Sequence, residues 1–163
     1  METQKLFIAA ALFLTTTASY QAKADFRLAL KDSTSCTVQT VNDVSPRVLP
    51  RVNLSFARME DRIIVFQDIP GSLAAESADY DNYSYKKDSF KIDQEQISHD
   101  ETIHYGSSHN HAVFVLKDNI LTMTSESYDF SPGDNPTTAR RVRCTLPHGS
   151  DSSKIADFLK KNM

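Results

Sequence analysis

Two cysteines, Cys36 and Cys144, stand near opposite ends of what remains of this chain once an N-terminal leader is set aside. Lys5 gives that leader a short positive start, Leu6 to Leu14 is continuously apolar, and Ala22-Lys23-Ala24 supplies the small-x-small pattern of a signal-peptidase site. The reading is a signal peptide over residues 1–24 and a single secreted domain over residues 25–163, placed in the periplasm or outside the cell. In such an oxidising compartment two cysteines are expected to pair. A Cys36–Cys144 bond would close nearly the whole domain into one loop, worth roughly 4–5 kcal/mol in the chain-entropy model. It also requires the first and last strands to be neighbours. The C-x-x-C spacing of redox proteins is absent.

The leader's apolar stretch falls short of the roughly 20 apolar residues that a permanent span needs, and no later segment is longer, so no membrane span is expected. The full chain carries 18 basic against 21 acidic residues, a formal charge of −3. That balance speaks against a nucleic-acid partner.

Hydrophobic periodicity points to strands. Val52-Asn53-Leu54-Ser55-Phe56 alternates apolar with polar, Arg62 to Gln67 is β-branched and apolar on both faces, and Pro70-Gly71 ends the hairpin they form. Ala112 to Leu116 and Ile120 to Thr124, joined by Lys117-Asp118-Asn119, make a second hairpin. Cys36 to Val41 reads as an opening strand, Ser84 to Ile92 and Thr102 to Tyr105 as weaker ones, and Arg140 to Leu146 as the closing strand. Ser131 to Pro136 is a loop. The expected fold is mainly β: a single antiparallel barrel or sandwich of about seven strands, closed by one disulfide. A short C-terminal helix follows, capped by Ser150 or Asp151, with Ile155, Phe158 and Leu159 on one face.

Several residues offer chemistry. His99, His104, His109 and His111 fall close together, and His109 and His111 share a face by the two-residue period of a strand. With His104 folded back at Gly106-Ser107-Ser108, a three-histidine zinc or copper site is one reading. The acidic stretch from Glu76 to Glu101 reads as a solvated connection, since Asp79 and Asp81 lack the rest of a calcium loop. Arg47, Arg51, Arg58 and Arg62 surround the first hairpin, and Arg140, Arg141 and Arg143 flank Cys144. Arg141 and Arg143 would share one face and Arg140 the other, which makes the pair a candidate clamp for an anionic envelope component such as lipopolysaccharide or a phosphorylated glycan.

No G-x-S-x-G elbow, H-E-x-x-H or phosphate-cradling loop is present. The function expected is therefore that of a non-enzymatic exported binding protein of the cell envelope or periplasm, acting without a cofactor. Its partner would be an anionic envelope component on the basic strand or a small apolar ligand inside the sheet. A histidine-dependent divalent-metal protein is the alternative. A small secreted hydrolase, for instance one using His104 or His111 with Asp129 and a serine, is the third reading.

Overall fold

The computed structural model describes residues 27–68, 82–129 and 136–163. The leader, Pro70-Gly71, the acidic residues before Asn82 and most of the Ser131 to Pro136 loop lie outside the described residues. Among the described residues ten strands and one α-helix follow in chain order: β1 (Arg27–Ala29), β2 (Thr34–Thr40), β3 (Arg47–Met59), β4 (Arg62–Asp68), β5 (Asn82–Lys86), β6 (Lys91–Ile92), β7 (Gln96–Tyr105), β8 (Ser108–Lys117), β9 (Ile120–Asp129), β10 (Thr138–Thr145) and α1 (Gly149–Asn162), with a single 3-10 turn at Lys87–Ser89 between β5 and β6. They form one antiparallel path, β5-β4-β3-β2-β10-β9-β8-β7-β6, with β1 added beside β3. Two meanders are joined where the last strand pairs with an early one.

The turns follow residue chemistry. Asp118 and Asn119 hold φ of 50° and 61° between β8 and β9, a left-handed pair that Asp and Asn tolerate and that matches the twist of a two-residue hairpin. Asn119 also donates from Nδ2 to the Leu146 carbonyl at 2.8 Å and accepts from the Ser152 hydroxyl at 2.9 Å, so this turn anchors both the end of β10 and the first turn of α1. Gly106, at φ +52°, makes the turn from β7 to β8.

Register stacks the inward side chains in layers. Cys36, Cys144, Leu121, Leu116 and Ile97 lie in one row across β2, β10, β9, β8 and β7. Val38, Val142, Met123, Phe114 and His99 form the next. All ten are buried. The Cys36–Cys144 disulfide, with an S–S distance of 2.04 Å, therefore joins register partners on adjacent strands. Leu54, Phe56, Ile63, Val65 and Tyr85 face these layers from β3, β4 and β5.

Helix α1 buries Ile155 and Leu159 and sets Phe158 against Phe56 at 6.2 Å between ring centroids, filling one end of the sheet's concavity. Its start differs from expectation. His148 is the N-cap, and Asp151, three residues on, accepts from the His148 amide at 3.1 Å and from Lys154 at 2.7 Å. A carboxylate at the third helical position satisfies that amide and sits well against the helix dipole.

Two parts of the expected fold need correction. There are ten strands among the described residues rather than about seven, because β1 and β6 are too short to show a period. In addition, β7, β8 and β9 extend well beyond their apolar segments into polar residues. Among the described residues the sheet forms a half-barrel, and no ladder there closes it into a full barrel. β3 explains the shape: one strand of 13 residues pairs with β2 through its first half and with β1 and β4 through its second, bending near a register shift in the β2 ladder close to Pro50, which has no amide to donate. The acidic stretch is also more ordered than a solvated connection, since its described part runs through β5, β6 and β7.

Candidate functional pocket

Past the Val38–His99 row the inward residues change character. The next row, again in register, is Thr40, Arg140, Ser125, Ala112 and Glu101. Ser125 and Ala112 are too small to fill the space that Met123 and Phe114 occupy one row below. The packing thins there, and a cavity of about 830 Å³ opens at the end opposite α1. Arg62, Tyr83, Tyr85, Ile103 and Arg140 contribute to its walls, with Val41 and Tyr105 among the residues that line it and are themselves solvent-exposed.

One wall is a seam. β5 and β7 are not hydrogen-bonded to each other in the ladder, and side chains bridge them instead. Arg62 reaches Glu101 through Nη2 at 2.8 Å and Nη1 at 3.3 Å, and also donates to the Ser84 carbonyl at 3.0 Å. Glu101 Oε2 accepts from the Lys86 amide at 3.2 Å. Beneath this pair His99 is 1% exposed, its Nε2 3.7 Å from Glu101, with its ring 5.1 Å from Tyr85 and 4.8 Å from Phe90. Burial, joined by the neighbouring Tyr83, holds the Tyr85 phenol well above its usual range, so it stays protonated.

The two shifted histidines give opposite pH dependences. Burial lowers the His99 pKa below the ordinary 6.5, and Arg62 adds to this, while Glu101, the Lys86 backbone and Asp100 oppose it. As pH falls below about 6.5, the unfolded chain therefore binds a proton on His99 that the native fold resists, and stability declines until the folded-state value is reached. His111 has the reverse sign. Burial disfavours its charge, but hydrogen bonds to Asp100 and Glu126 outweigh that and raise its pKa. Its contribution is complete below about 6.5 and is lost as pH rises through the higher folded-state value. Denaturant midpoints across pH are expected to show an acid decline that flattens in His99→Phe and an alkaline decline that flattens in His111→Gln. An acid limb unchanged by His99→Phe would overturn the His99 assignment.

The candidates from sequence occupy the other face. His104 and His109 are register partners with ring centroids 5.6 Å apart, and His109 stacks on Tyr128 at 4.6 Å. His111 shares their face but turns to carboxylates, with Nε2 3.0 Å from Asp100 and Nδ1 3.4 Å from Glu126. Among the described residues no three His, Cys, Asp or Glu side chains converge in a way that could hold a metal ion. Arg141 and Arg143 are exposed on the convex side, where the period places them, opposite Gln39 and Thr37 on β2. Of the arginines, Arg62 and Arg140 both line the pocket, Arg62 held by Glu101, while Arg141 and Arg143 face outward.

Sequence reasoning set Arg140 on the face opposite Arg141 and Arg143 but gave it no role, and it missed the Ser125–Ala112 gap and the Arg62–Glu101–His99 seam. The pocket role of Arg140 and the gap both had a signal. The alternation on β8, β9 and β10 continues past Phe114, Met123 and Val142 into Ala112, Ser125 and Arg140, so the inward face loses its apolar bulk within one step. The seam had none, because its members are separated in sequence by the β4–β5 connection and the short β6.

Comparison with known proteins returned no matching family model, no matching curated protein and no matching solved structure.

Proposed function

We propose that this chain is an exported, non-catalytic binding protein whose ligand lodges in the concave pocket of the half-barrel. One observation carries the reading: a filled apolar core stops at a defined row, and the same strands continue around an open space of about 830 Å³. Pockets of about 300–1,000 Å³ are the size that holds drug-sized ligands. Mixed aromatic and polar walls fit orientation by a few polar contacts within an apolar surround. The disulfide and the leader-like residues 1–24 support export.

The test fills the gap. Ala112→Phe places a ring where the row narrows, next to Ser125 and away from the packed row beneath. The wild-type chain is expected to bind anilinonaphthalene sulfonate saturably, and the variant to bind it at least about tenfold more weakly while keeping its melting temperature within a few degrees. Equal binding by both proteins would place the ligand elsewhere. Export is checked separately, by finding Asp25 at the N-terminus of protein recovered from outside the cytoplasm.

A further inference from the structure

We infer that the pocket takes a short uncharged oligosaccharide, its hydroxyls met by polar side chains of β2, β8, β9 and β10 and one ring face laid on Tyr105; this rests on the pocket reading above. Alternation carries Thr40, Asn110, Ser125 and Thr138 inward on those four strands, in two successive rows above the apolar core. Among the described residues no hydrogen bond engages the hydroxyls of Thr40, Ser125 and Thr138 or the side-chain amide of Asn110. Neighbouring strands lie about 4.8 Å apart and successive inward residues of one strand about 7 Å apart, so these groups form a grid across the wall. A hydrocarbon laid over that grid would strip water from each group and return nothing, and a ligand with a single polar head would satisfy one point of it. Hydroxyls and amides both donate and accept, so a molecule bearing hydroxyls along its whole length answers every point.

Charge selects against an ion. Arg62 is held by Glu101 at 2.8 Å and Arg140 has a partner of its own, so neither guanidinium is a free charge for an anion, and the other described lining residues are uncharged. The β7 side of the wall differs from the grid: Ile103 leads from the core towards Tyr105, which is 55% exposed at the mouth. A pyranose has the same two-sidedness, with C–H groups on its faces and hydroxyls around its edge. The tyrosine ring covers a face and leaves the edge to Asn110, Ser125, Thr138 and Thr40. A cavity of about 830 Å³ has room for more than one such ring.

Calorimetry on the intact, oxidised chain with chitotriose, cellotriose, maltotriose, trigalacturonate and dodecanol separates the possibilities. At least one of the three neutral sugars is expected to bind with one equivalent, at least about tenfold tighter than trigalacturonate or dodecanol. Asn110 is half-buried and Tyr105 exposed, so substitutions there leave the packed rows untouched. Asn110→Leu should weaken the sugar about tenfold or more and strengthen dodecanol, a change of opposite sign that a loss of folding would not produce. Tyr105→Ala should weaken the sugar by a similar factor, whereas Tyr105→Phe keeps the ring and most of the affinity. Failure of all three neutral sugars to bind, or tighter binding of trigalacturonate or dodecanol, overturns the ligand class on the wild-type protein alone. If Ala112→Phe then still abolishes anilinonaphthalene sulfonate binding, the pocket stands and the sugar does not. Sugar binding that Ala112→Phe weakens but both Asn110→Leu and Tyr105→Ala leave unchanged overturns the assigned contacts. Sugar binding that Ala112→Phe leaves unchanged removes both readings.

Discussion

Replacing Cys36 and Cys144 together by alanine is expected to reduce the stability of the chain by about 4–5 kcal/mol, the chain-entropy value for so long a loop. The cysteines are 108 positions apart, so the bond removes a large set of extended conformations from the unfolded chain. In the native state it joins strands that the ladder already holds in register, from Thr145↔Ser35 to Arg140↔Thr40. Far-ultraviolet dichroism and pocket binding are therefore expected to persist in the double variant below its denaturation midpoint. Urea unfolding checks this in two ways: the midpoint falls, and the m-value rises because the uncrosslinked chain exposes more surface. A loss under about 1 kcal/mol would mean that the unfolded chain is already compact without the bond.

Phe114→Ala should cost a comparable amount, about 3–5 kcal/mol for truncating a buried phenylalanine. Phe114 is 0% exposed and meets Tyr85 and Phe90 edge-on, each at 5.4 Å. It is also the floor under Ala112, so its removal would open the pocket downward into the aromatic box around His99. Water entering that space relieves the burial that depresses the His99 pKa. Nuclear magnetic resonance titration of the imidazole should find the value moved back up towards 6.5, alongside the lost stability. A full stability loss with an unmoved His99 titration would show that neighbouring side chains close the cavity. A loss below about 1 kcal/mol would show that Phe114 is not central to the core.

The parts of the fold visible in the sequence are those governed by near neighbours. The Asp118-Asn119 hairpin, the helical stripe of Ile155, Phe158 and Leu159, and the opening and closing strands each follow from a period or a turn chemistry confined to a few residues. The pairing of β2 with β10 was reachable because cysteine is the one side chain that declares its distant partner. β3 was read only through its second half. Its alternation breaks where it changes partners, and a period-2 pattern cannot show that one strand serves two ladders. The site was hidden for a related reason. Histidines on the convex face draw the eye by composition, whereas the pocket is made by Ala112 and Ser125, residues whose contribution is their small size. That contribution appears only once Arg140, Ser125 and Ala112 are known to lie side by side.

The circumference of a hydrogen-bonded barrel changes in whole strands, because a ladder admits no fractional spacing. Between β5 and β7 this chain has no ladder, and the span is set by the reach of Arg62 to Glu101 and the thickness of the Tyr85 and His99 rings. The bore is thereby a continuous variable. Exchanging Glu101 for the shorter aspartate, or Arg62 for lysine, would retune the width of the lumen without adding or deleting backbone. A lineage built on this architecture could follow ligands of changing girth through point substitutions at one line of contact, keeping the core, the disulfide and the helix as they are.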